Sequence, residues 1–174
     1  ITEFTQESPL EGAPATEDTE VYIAYDDDNL YFGFYLHYSD PSIMRANRVD
    51  RDRAAQDDLI TIYIDTFLDQ QRSFEFDVNA YNVQGDGIVN ASRGGRGGGR
   101  IPPADRSWDA LFYSGAEIVA DGYSAEIAVP FKSIRYPGRE REAPHQWGFQ
   151  IVREIKSKNA ENDVWAPMSR DVSG

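Results

Sequence analysis

The sequence has no cysteine. Disulfide frameworks, thiol nucleophiles and thiolate metal sites are therefore excluded. Histidine is scarce as well, because only His37 and His145 occur and they stand far apart in the sequence. An isolated histidine is more often a packed or solvated side chain than a ligand, so neither is given a catalytic role.

Positive charge is also in short supply. Seventeen basic residues face 30 acidic ones, which gives a net charge of −13. A protein of this charge repels phosphate backbones and anionic membranes, so neither nucleic acid nor direct membrane insertion is expected. Cations are the natural counter-partners. Long apolar runs are absent too, since none approaches the ~20 residues of a membrane-spanning helix.

The standard catalytic motifs are missing. The sequence contains no Gly-x-Ser-x-Gly nucleophile turn, no Gly-Lys-Ser/Thr phosphate loop and no His-Glu-x-x-His zinc motif. Two carboxylates can act as acid and base in glycoside hydrolysis, but among 30 acidic residues any chosen pair is arbitrary. The sequence therefore predicts no enzyme, with a glycoside hydrolase as the remaining enzymatic alternative.

What the sequence does contain is strict alternation of apolar and polar residues. Between Asp57 and Gly87, two alternating runs are separated by a polar turn at residues 69–71. A period of two is that of a half-buried strand, so this stretch predicts an antiparallel hairpin with one apolar face and one acidic face. The predicted apolar positions are Ile60, Ile62, Ile64, Phe74, Phe76 and Val78.

Similar patterns predict an all-β fold, an antiparallel β-sandwich of eight or nine strands that forms one domain over residues 1–174. Residues 5–19 are predicted to be irregular, and residues 39–56 to be a loop with one helical turn. No segment predicts a convincing helix. The further predicted strands are residues 21–25, 30–38, 83–91, 108–113, 117–119, 123–129, 147–152 and, as a terminal edge piece, 163–167.

Residues 92–106 are rich in glycine, arginine and proline and predict a long excursion between two strands. Arginine-glycine segments also bind single-stranded RNA, but the net charge of −13 favours a solvated or partner-packed loop instead. The chain begins abruptly at Ile1 and stops at Gly174, which indicates a piece of a longer protein.

Aspartates collect at the predicted turns and strand ends, where side-chain and backbone oxygens converge. Calcium takes six to eight oxygen ligands, so these positions predict a calcium site, with simple turn formation as the alternative. In particular, the carboxylates at the two ends of the first hairpin strand are expected to lie within reach of one another. The predicted ligands are Asp26, Asp27, Asp28, Asp57, Asp58 and Asp65, and Asp50, Asp52 and Asp86 occupy comparable positions.

Aromatic side chains give a second lead. Sugars present flat apolar faces edged by hydroxyl groups, and they bind where an exposed ring lies beside polar side chains. Three tryptophans and ten tyrosines are available. Trp147 heads a regular strand and is predicted to be buried, whereas Trp108 and Trp165 lie among polar residues and proline and are predicted to reach the rim of the sheet.

Several short motifs follow one another over nearly the whole chain. They are residues 14–17, 25–31, Arg51-Asp52, Asp57-Asp58, Phe76 with Asn79, residues 85–87, Trp108-Asp109, residues 126–131, Trp147-Gly148 and Arg153. Together and in this order they resemble the carbohydrate-binding module family 9-like domain. This DOMON-like sandwich occurs on bacterial surface and outer-membrane proteins, often ahead of a large C-terminal β-barrel.

The resemblance implies a β-sandwich with structural calcium and, in the sugar-binding members, two tryptophan rings that enclose a saccharide end. Trp165 matches a late tryptophan of this kind, and Trp108 is the candidate for the second ring. Asn79, Arg51 and Gln150 are the candidates for bonding sugar hydroxyls. The family's usual tryptophan-bearing strand ahead of the position of Phe4 is not in this sequence.

We therefore expect a non-catalytic, calcium-stabilised carbohydrate-binding module that works outside the cytoplasm, in the periplasm, at the cell surface or after secretion. The alternative is a structural module of a surface or outer-membrane complex or an extracellular filament that binds no sugar. Such a module would associate with itself or dock to an outer-membrane β-barrel, since an unpaired sheet edge accepts a strand from a neighbour.

Overall fold

The computed structural model describes residues 1–91, 101–138 and 144–167. Residues 92–100 of the predicted excursion lie outside these ranges. Within them the chain forms ten strands and two short 3-10 turns, Pro41–Ile43 and Phe131–Ser133. The strands are β1 (Thr5–Ser8), β2 (Thr19–Tyr25), β3 (Asn29–His37), β4 (Leu59–Asp65), β5 (Arg72–Val78), β6 (Gln84–Asn90), β7 (Tyr113–Val119), β8 (Gly122–Pro130), β9 (Gly148–Ile155) and β10 (Glu161–Val164).

The strands form two antiparallel sheets. The six-stranded sheet has the order β1-β10-β9-β4-β5-β6, and the four-stranded sheet has the order β2-β3-β8-β7. The predicted antiparallel β-sandwich is confirmed, with ten strands in the described ranges rather than eight or nine. A helix long and apolar enough to cross a membrane does not occur in the part of the chain that the structure describes.

The predicted hairpin is β4–β5, at the centre of the six-stranded sheet. Ile62 pairs with Phe76 and Ile64 with Phe74, so the apolar positions of both strands share the inner face. Opposite them, the four-stranded sheet contributes Phe32 and other buried side chains. Burial of this apolar surface between the sheets is the main stabilising contribution to the fold.

The Asp121-Gly122 pair between the predicted strands 117–119 and 123–129 is a hairpin signal in the sequence, and β7 and β8 do pair as a hairpin at this point. Gly122, the first residue of β8, has a φ of +151° and pairs with His37 of β3. A Cβ atom at this position would lie 1.9 Å from the carbonyl oxygen of Leu36. Glycine is therefore required for β8 to lie against β3.

Three local predictions were wrong. Residues 5–19, predicted to be irregular, contain β1, whose polar sequence gave no apolar alternation. The terminal piece is not an edge, because β10 lies between β1 and β9. Residues 108–112 do not form a strand. The backbone N–H of Ala110 donates to Asp86, and the Ala110 carbonyl oxygen accepts from Arg51, so side chains bind the backbone groups that would otherwise pair with a neighbouring strand.

Candidate functional site

Trp165, the predicted sugar platform, directly follows β10. Its ring stacks on Phe149 at 4.8 Å with an interplanar angle of 7°, and it is half-buried. Its backbone N–H donates to the carbonyl oxygen of Ile151. Gln150 holds the next residue, because its Nε2 donates to the Ala166 carbonyl oxygen at 2.7 Å and its Oε1 accepts from the Ala166 N–H at 3.0 Å. The indole is therefore fixed by its neighbours before any ligand binds.

Trp108 lies at the same end of the sandwich, but it packs against aromatic rings other than the one that supports Trp165. It is half-buried and packs against Phe74 at 5.0 Å and Phe76 at 6.0 Å. Ile64 of β4 pairs with Phe74 on one side and with Phe149 on the other. The rings that support the two tryptophans are thus two strands, or about 10 Å, apart on the inner face.

The third tryptophan is also half-buried, rather than buried as predicted. Trp147 lies 5.9 Å from Phe131 and 5.3 Å from Tyr136, measured between ring centroids. Trp147 and Phe149 are two residues apart and share a face of the chain, so they extend the aromatic cluster around Trp165. The sequence signal for this extension was the spacing of aromatic residues at 147, 149 and 165.

Asn79, a predicted sugar ligand, has an internal role. It is 0% exposed, and its Nδ2 donates to Asp57 at 2.7 Å and to the carbonyl oxygen of Asn47 at 2.9 Å. Its Oδ1 accepts from the backbone N–H groups of Tyr81 and Val83. Both ends of the amide are used inside the protein, so we remove Asn79 from the sugar-contacting set.

Asp57 and Asp58 are buried and surrounded by protein donors. Asp57 also accepts from the backbone and side-chain N–H groups of Asn47. Asp58 accepts from the Tyr38 hydroxyl at 2.9 Å, from the Arg45 N–H at 2.9 Å and from the Lys156 N–H at 2.7 Å. The hydrogen-bonding capacity of these two buried carboxylates is thus used by neutral donors of the protein itself.

The carboxylates at the two ends of β4 are not within reach of one another, which corrects that expectation. Asp58 and Asp65 are seven residues apart along an extended strand, or about 23 Å. Asp65 caps the turn that follows, because it accepts from the backbone N–H groups of Phe67, Leu68 and Gln70. One ion cannot bind both ends of the strand.

The acidic turn between β2 and β3 is organised by Asp26. Its Oδ1 accepts from the N–H groups of Asp28 and Asn29, and its Oδ2 accepts from the Tyr31 hydroxyl. The hydrogen bond from Tyr31 and those from the backbone lower the pKa of Asp26. This geometry is that of a turn-forming aspartate, and a calcium ion at Asp26, Asp27 and Asp28 stays a prediction.

A different acidic cluster forms beside the end of β6. Oxygen atoms of Asp52, Asp86 and Asp109 all lie within 4.8 Å of one another, and Asp109 is 81% exposed. Arg51, a predicted sugar ligand, pairs with Asp86 and donates to Gln84 Oε1 at 2.9 Å. The sequence placed Asp52 and Asp86 among the aspartates at turns, whereas Asp109 occurred only in the Trp108-Asp109 motif and not among the predicted ligands, because a loop brings it here.

Arg106 extends this cluster over the acidic face of the hairpin. It donates to Asp77 at 2.6 Å, pairs with Glu75 and lies 3.5 Å from Asp52. With Arg51, two guanidinium groups therefore meet five carboxylates in one continuous network. The excess of negative charge suits an additional cation.

Two buried carboxylic acids give the stability a defined pH dependence. Burial raises the pKa of Glu75 to about 7, although Arg106 opposes the shift. Burial and the neighbouring charge of Glu161 raise the pKa of Asp163 to about 8. Each group holds a proton in the folded state at a pH where the unfolded chain has lost it, so the free energy of unfolding falls as pH rises from about 5 to 8.

We expect chemical denaturation to show a stability lower by at least about 1 kcal/mol at pH 8 than at pH 5. Asp163→Asn removes one of the titrating groups and keeps the shape, so it should flatten this decline. A stability that rises over the same interval would contradict the assignment. Below pH 4 the trend reverses, because hydrogen bonds lower the pKa values of Asp26 and Asp121 and protonating them destabilises the fold.

Comparisons with known proteins agree with this architecture. The model of the carbohydrate family 9 binding domain-like family matches residues 2–170. A search of curated protein sequences found no match.

Three solved structures share the fold. A family 9 carbohydrate-binding module from Caldicellulosiruptor kristjanssonii in complex with cellotriose is 16% identical, covers 94% of this chain and 72% of its own, and has a TM-score of 0.57. A family 9 module from the same organism in complex with glucose is 16% identical, and the match covers 87% of this chain and 68% of that module, with a TM-score of 0.55. A candidate carbohydrate-binding protein from Bacteroides uniformis is 11% identical, covers 99% and 81%, and has a TM-score of 0.65.

Proposed function

Because the chain belongs to the carbohydrate family 9 binding domain-like family, we propose that it is a non-catalytic carbohydrate-binding module. Members of this family bind carbohydrate without transforming it. Structural neighbours with bound cellotriose and glucose support neutral glucose-containing glycans as the first ligands to test. We further propose that the module works outside the cytoplasm, as part of a larger protein.

The observation that carries the proposal is the fixed indole of Trp165. Phe149 covers one face of the ring, and Gln150 clamps the adjacent backbone. A platform held in this way pays little conformational entropy when a sugar ring stacks on it. In this proposal Trp165 stacks the sugar, Gln150 acts by positioning it, and Trp108 and Arg51 are secondary contacts on the same rim.

The direct test is a glycan panel that includes glucose and cellotriose, probed with the unaltered protein, Trp165→Ala and Trp165→Phe. Loss of a central aromatic anchor is worth about 2 kcal/mol or more, so we expect Trp165→Ala to weaken binding at least about 30-fold. Trp165→Phe retains a flat ring and should keep most of the affinity.

Equal binding by Trp165→Ala, with an unchanged melting temperature, would refute the platform. Absence of binding by the unaltered protein to every glycan would favour the assembly alternative instead. The feature that supports that alternative is β7, an edge strand of seven residues with exposed Tyr113 and Ile118.

We also propose that calcium stabilises the module, at Asp52, Asp86 and Asp109 rather than at Asp57, Asp58 and Asp65. Three hard oxygen ligands within 4.8 Å and an excess of carboxylates over guanidinium groups fit this ion. An ion here would tie Asp109, on the loop before β7, to Asp86 on β6. The Asp26–Asp28 turn is the alternative position for this ion.

Calcium that binds only the folded state at 100 times its dissociation constant adds about 2.7 kcal/mol of stability. We therefore expect the melting temperature to rise in calcium and to fall in chelator. Asp109→Asn should abolish the difference if the ion binds beside β6, whereas Asp27→Asn should leave it intact. A melting temperature that is the same in calcium and in chelator would eliminate the metal proposal.

A further inference from the structure

The outer face of the four-stranded sheet has an unusual arrangement of residues. Strand pairing aligns Tyr22, Gly33, Glu126 and Gly115 in a row that crosses all four strands. The row on one side contains Ala24, Tyr31, Ala128 and Tyr113, and the row on the other side contains Glu20, Tyr35, Ser124 and Glu117. Gly33 thus lies between Tyr31 and Tyr35, and Gly115 lies between Tyr113 and Glu117.

This arrangement forms a trough across the sheet. Two adjoining depressions of about 480 Å³ and 360 Å³ share Gly33, Gly115 and Glu126 in their linings. Four strands at a spacing of ~4.8 Å give the trough a length of about 14 Å, which is longer than a single sugar ring. Tyr22 and Tyr113 are 64% and 56% exposed, so the rings that border it are open to solvent.

The two glycines are not explained by the fold. A Cβ atom at Gly115 would meet nothing within 4 Å, and one at Gly33 would meet only the Tyr22 Cβ at 3.8 Å. Neither residue has a positive φ. Glycine in the interior of a strand weakens the strand. Where it nevertheless occurs, it often marks a site at which a ligand approaches the backbone closely.

The tyrosine rings are held in place by carboxylates. The hydroxyl of Tyr22 donates to Glu20 at 2.6 Å, that of Tyr31 to Asp26 at 2.7 Å and that of Tyr35 to Asp121 at 2.8 Å. These bonds orient the rings before a ligand arrives.

The acceptors in the trough itself are free. Glu126 on its floor and Glu117 at its end accept no hydrogen bond from any residue within the described ranges, and both are exposed. Oriented rings beside free carboxylates match a ligand that combines flat apolar faces with hydroxyl donors.

We propose that this trough is a second carbohydrate-binding surface, which takes the body of a neutral oligosaccharide chain. Sugar rings would stack on the bordering tyrosines, and their hydroxyl groups would donate to Glu126 and Glu117. The carboxylates exclude anionic glycans by charge repulsion. The choice of a sugar as ligand rests on the proposed function, but the surface is on the four-stranded sheet and shares no residue with the Trp165 platform.

The test uses cellohexaose and isothermal titration calorimetry. Gly115→Leu places a side chain in the trough without a clash, and Gly138→Leu makes the same change at another glycine whose Cβ would meet nothing within 4 Å. We expect Gly115→Leu to weaken cellohexaose binding about tenfold and Gly138→Leu to have no effect. In the unaltered protein, cellohexaose should also shift the backbone amide NMR signals of Gly33 and Gly115.

The variants separate this inference from the proposed function. If Trp165→Ala removes all binding and Gly115→Leu removes none, the platform stands and the trough is refuted. If Gly115→Leu removes binding and Trp165→Ala does not, the trough stands and the platform is refuted. If cellohexaose does not bind at all, the trough proposal is overturned, whereas the proposed function is judged on the wider glycan panel.

A cationic peptide is the competing occupant of an acidic, tyrosine-lined trough. Tetra-arginine is the probe for it. Binding of a neutral sugar is insensitive to salt, whereas binding of tetra-arginine weakens as salt screens the carboxylates. Salt-sensitive binding of tetra-arginine that Gly115→Leu abolishes, without any binding of cellohexaose, would overturn the carbohydrate assignment.

Discussion

Replacing Arg153 by methionine is expected to destabilise the folded protein by about 3–5 kcal/mol. Arg153 lies on β9 and is 0% exposed. Its guanidinium donates to the carbonyl oxygen of Asp18 at 2.8 Å, to Thr19 Oγ1 at 2.9 Å and to the carbonyl oxygen of His37 at 2.5 Å. One side chain thus joins the six-stranded sheet to two strands of the other sheet.

The size of the effect follows from what the substitution leaves behind. The Asp18 carbonyl oxygen keeps the N–H of His37 as a donor, but the buried Thr19 and the His37 carbonyl oxygen each lose the hydrogen bond from Arg153. A buried polar group that loses its partner costs about 1–3 kcal/mol. The ring of Tyr38 also loses the guanidinium that lies 4.6 Å from its centroid. Asp163, which lies opposite Arg153 in the β9–β10 register, also loses a positive charge that lowers its pKa.

Urea denaturation is the measurement, and Arg53→Met is the matched control because Arg53 is exposed. The control should change stability by less than about 0.5 kcal/mol. Arg153→Lys keeps the charge but not the planar group that reaches three acceptors, so it should fall between the two. If Arg153→Met unfolds at the same urea concentration as the control, the link between the sheets contributes nothing.

Replacing Arg106 by leucine is the second large expected effect, about 2–4 kcal/mol. Asp77 and Glu75 are nearly fully buried and would lose their only arginine partner in the described structure. Removing one member of a buried ion pair costs more than the pair itself contributes, because an uncompensated charge is left in the interior. Arg106 is 36% exposed, so solvent reduces the effect relative to that at Arg153.

The destabilisation by Arg106→Leu should grow with pH. Below its pKa, Glu75 stays protonated and leaves no uncompensated charge in the interior, whereas above its pKa it does. Arg72→Leu is the control, since Arg72 lies on β5 nearby but is exposed and, among the residues that the structure describes, makes one long side-chain bond, 3.3 Å to Asn90. Adding Glu75→Gln and Asp77→Asn to Arg106→Leu should recover stability. A loss no larger than that of Arg72→Leu, at pH 5 and at pH 8, would show that the cluster is not held by this arginine.

The prediction of strands from sequence worked wherever one face of a strand is buried. Alternation at β4 and β5 located the central hairpin, and the Asp121-Gly122 pair located the β7–β8 turn. It failed at β1, whose four polar residues pair with β10 at the edge of a sheet and show no apolar period. It also failed at residues 108–112, where Arg51 and Asp86 occupy the backbone groups that a strand would need.

Site residues followed a different rule, because a carboxylate looks the same in the sequence whether it caps a turn, pairs with arginine or faces solvent. Asp57, Asp65 and Asp26 were grouped by their position at turns, and the structure gives them separate local partners. Asp52, Asp86 and Asp109 are far apart in the chain and converge only when the loop before β7 lies over β6.

The all-β class, the antiparallel sandwich and the family could thus be predicted from the sequence, since these depend on local periodicity and on motifs in order along the chain. The sequence could not show which carboxylates meet, which tryptophan faces are covered or where a trough crosses the four-stranded sheet. These properties depend on strand register and loop placement, which bring together residues with no common local pattern.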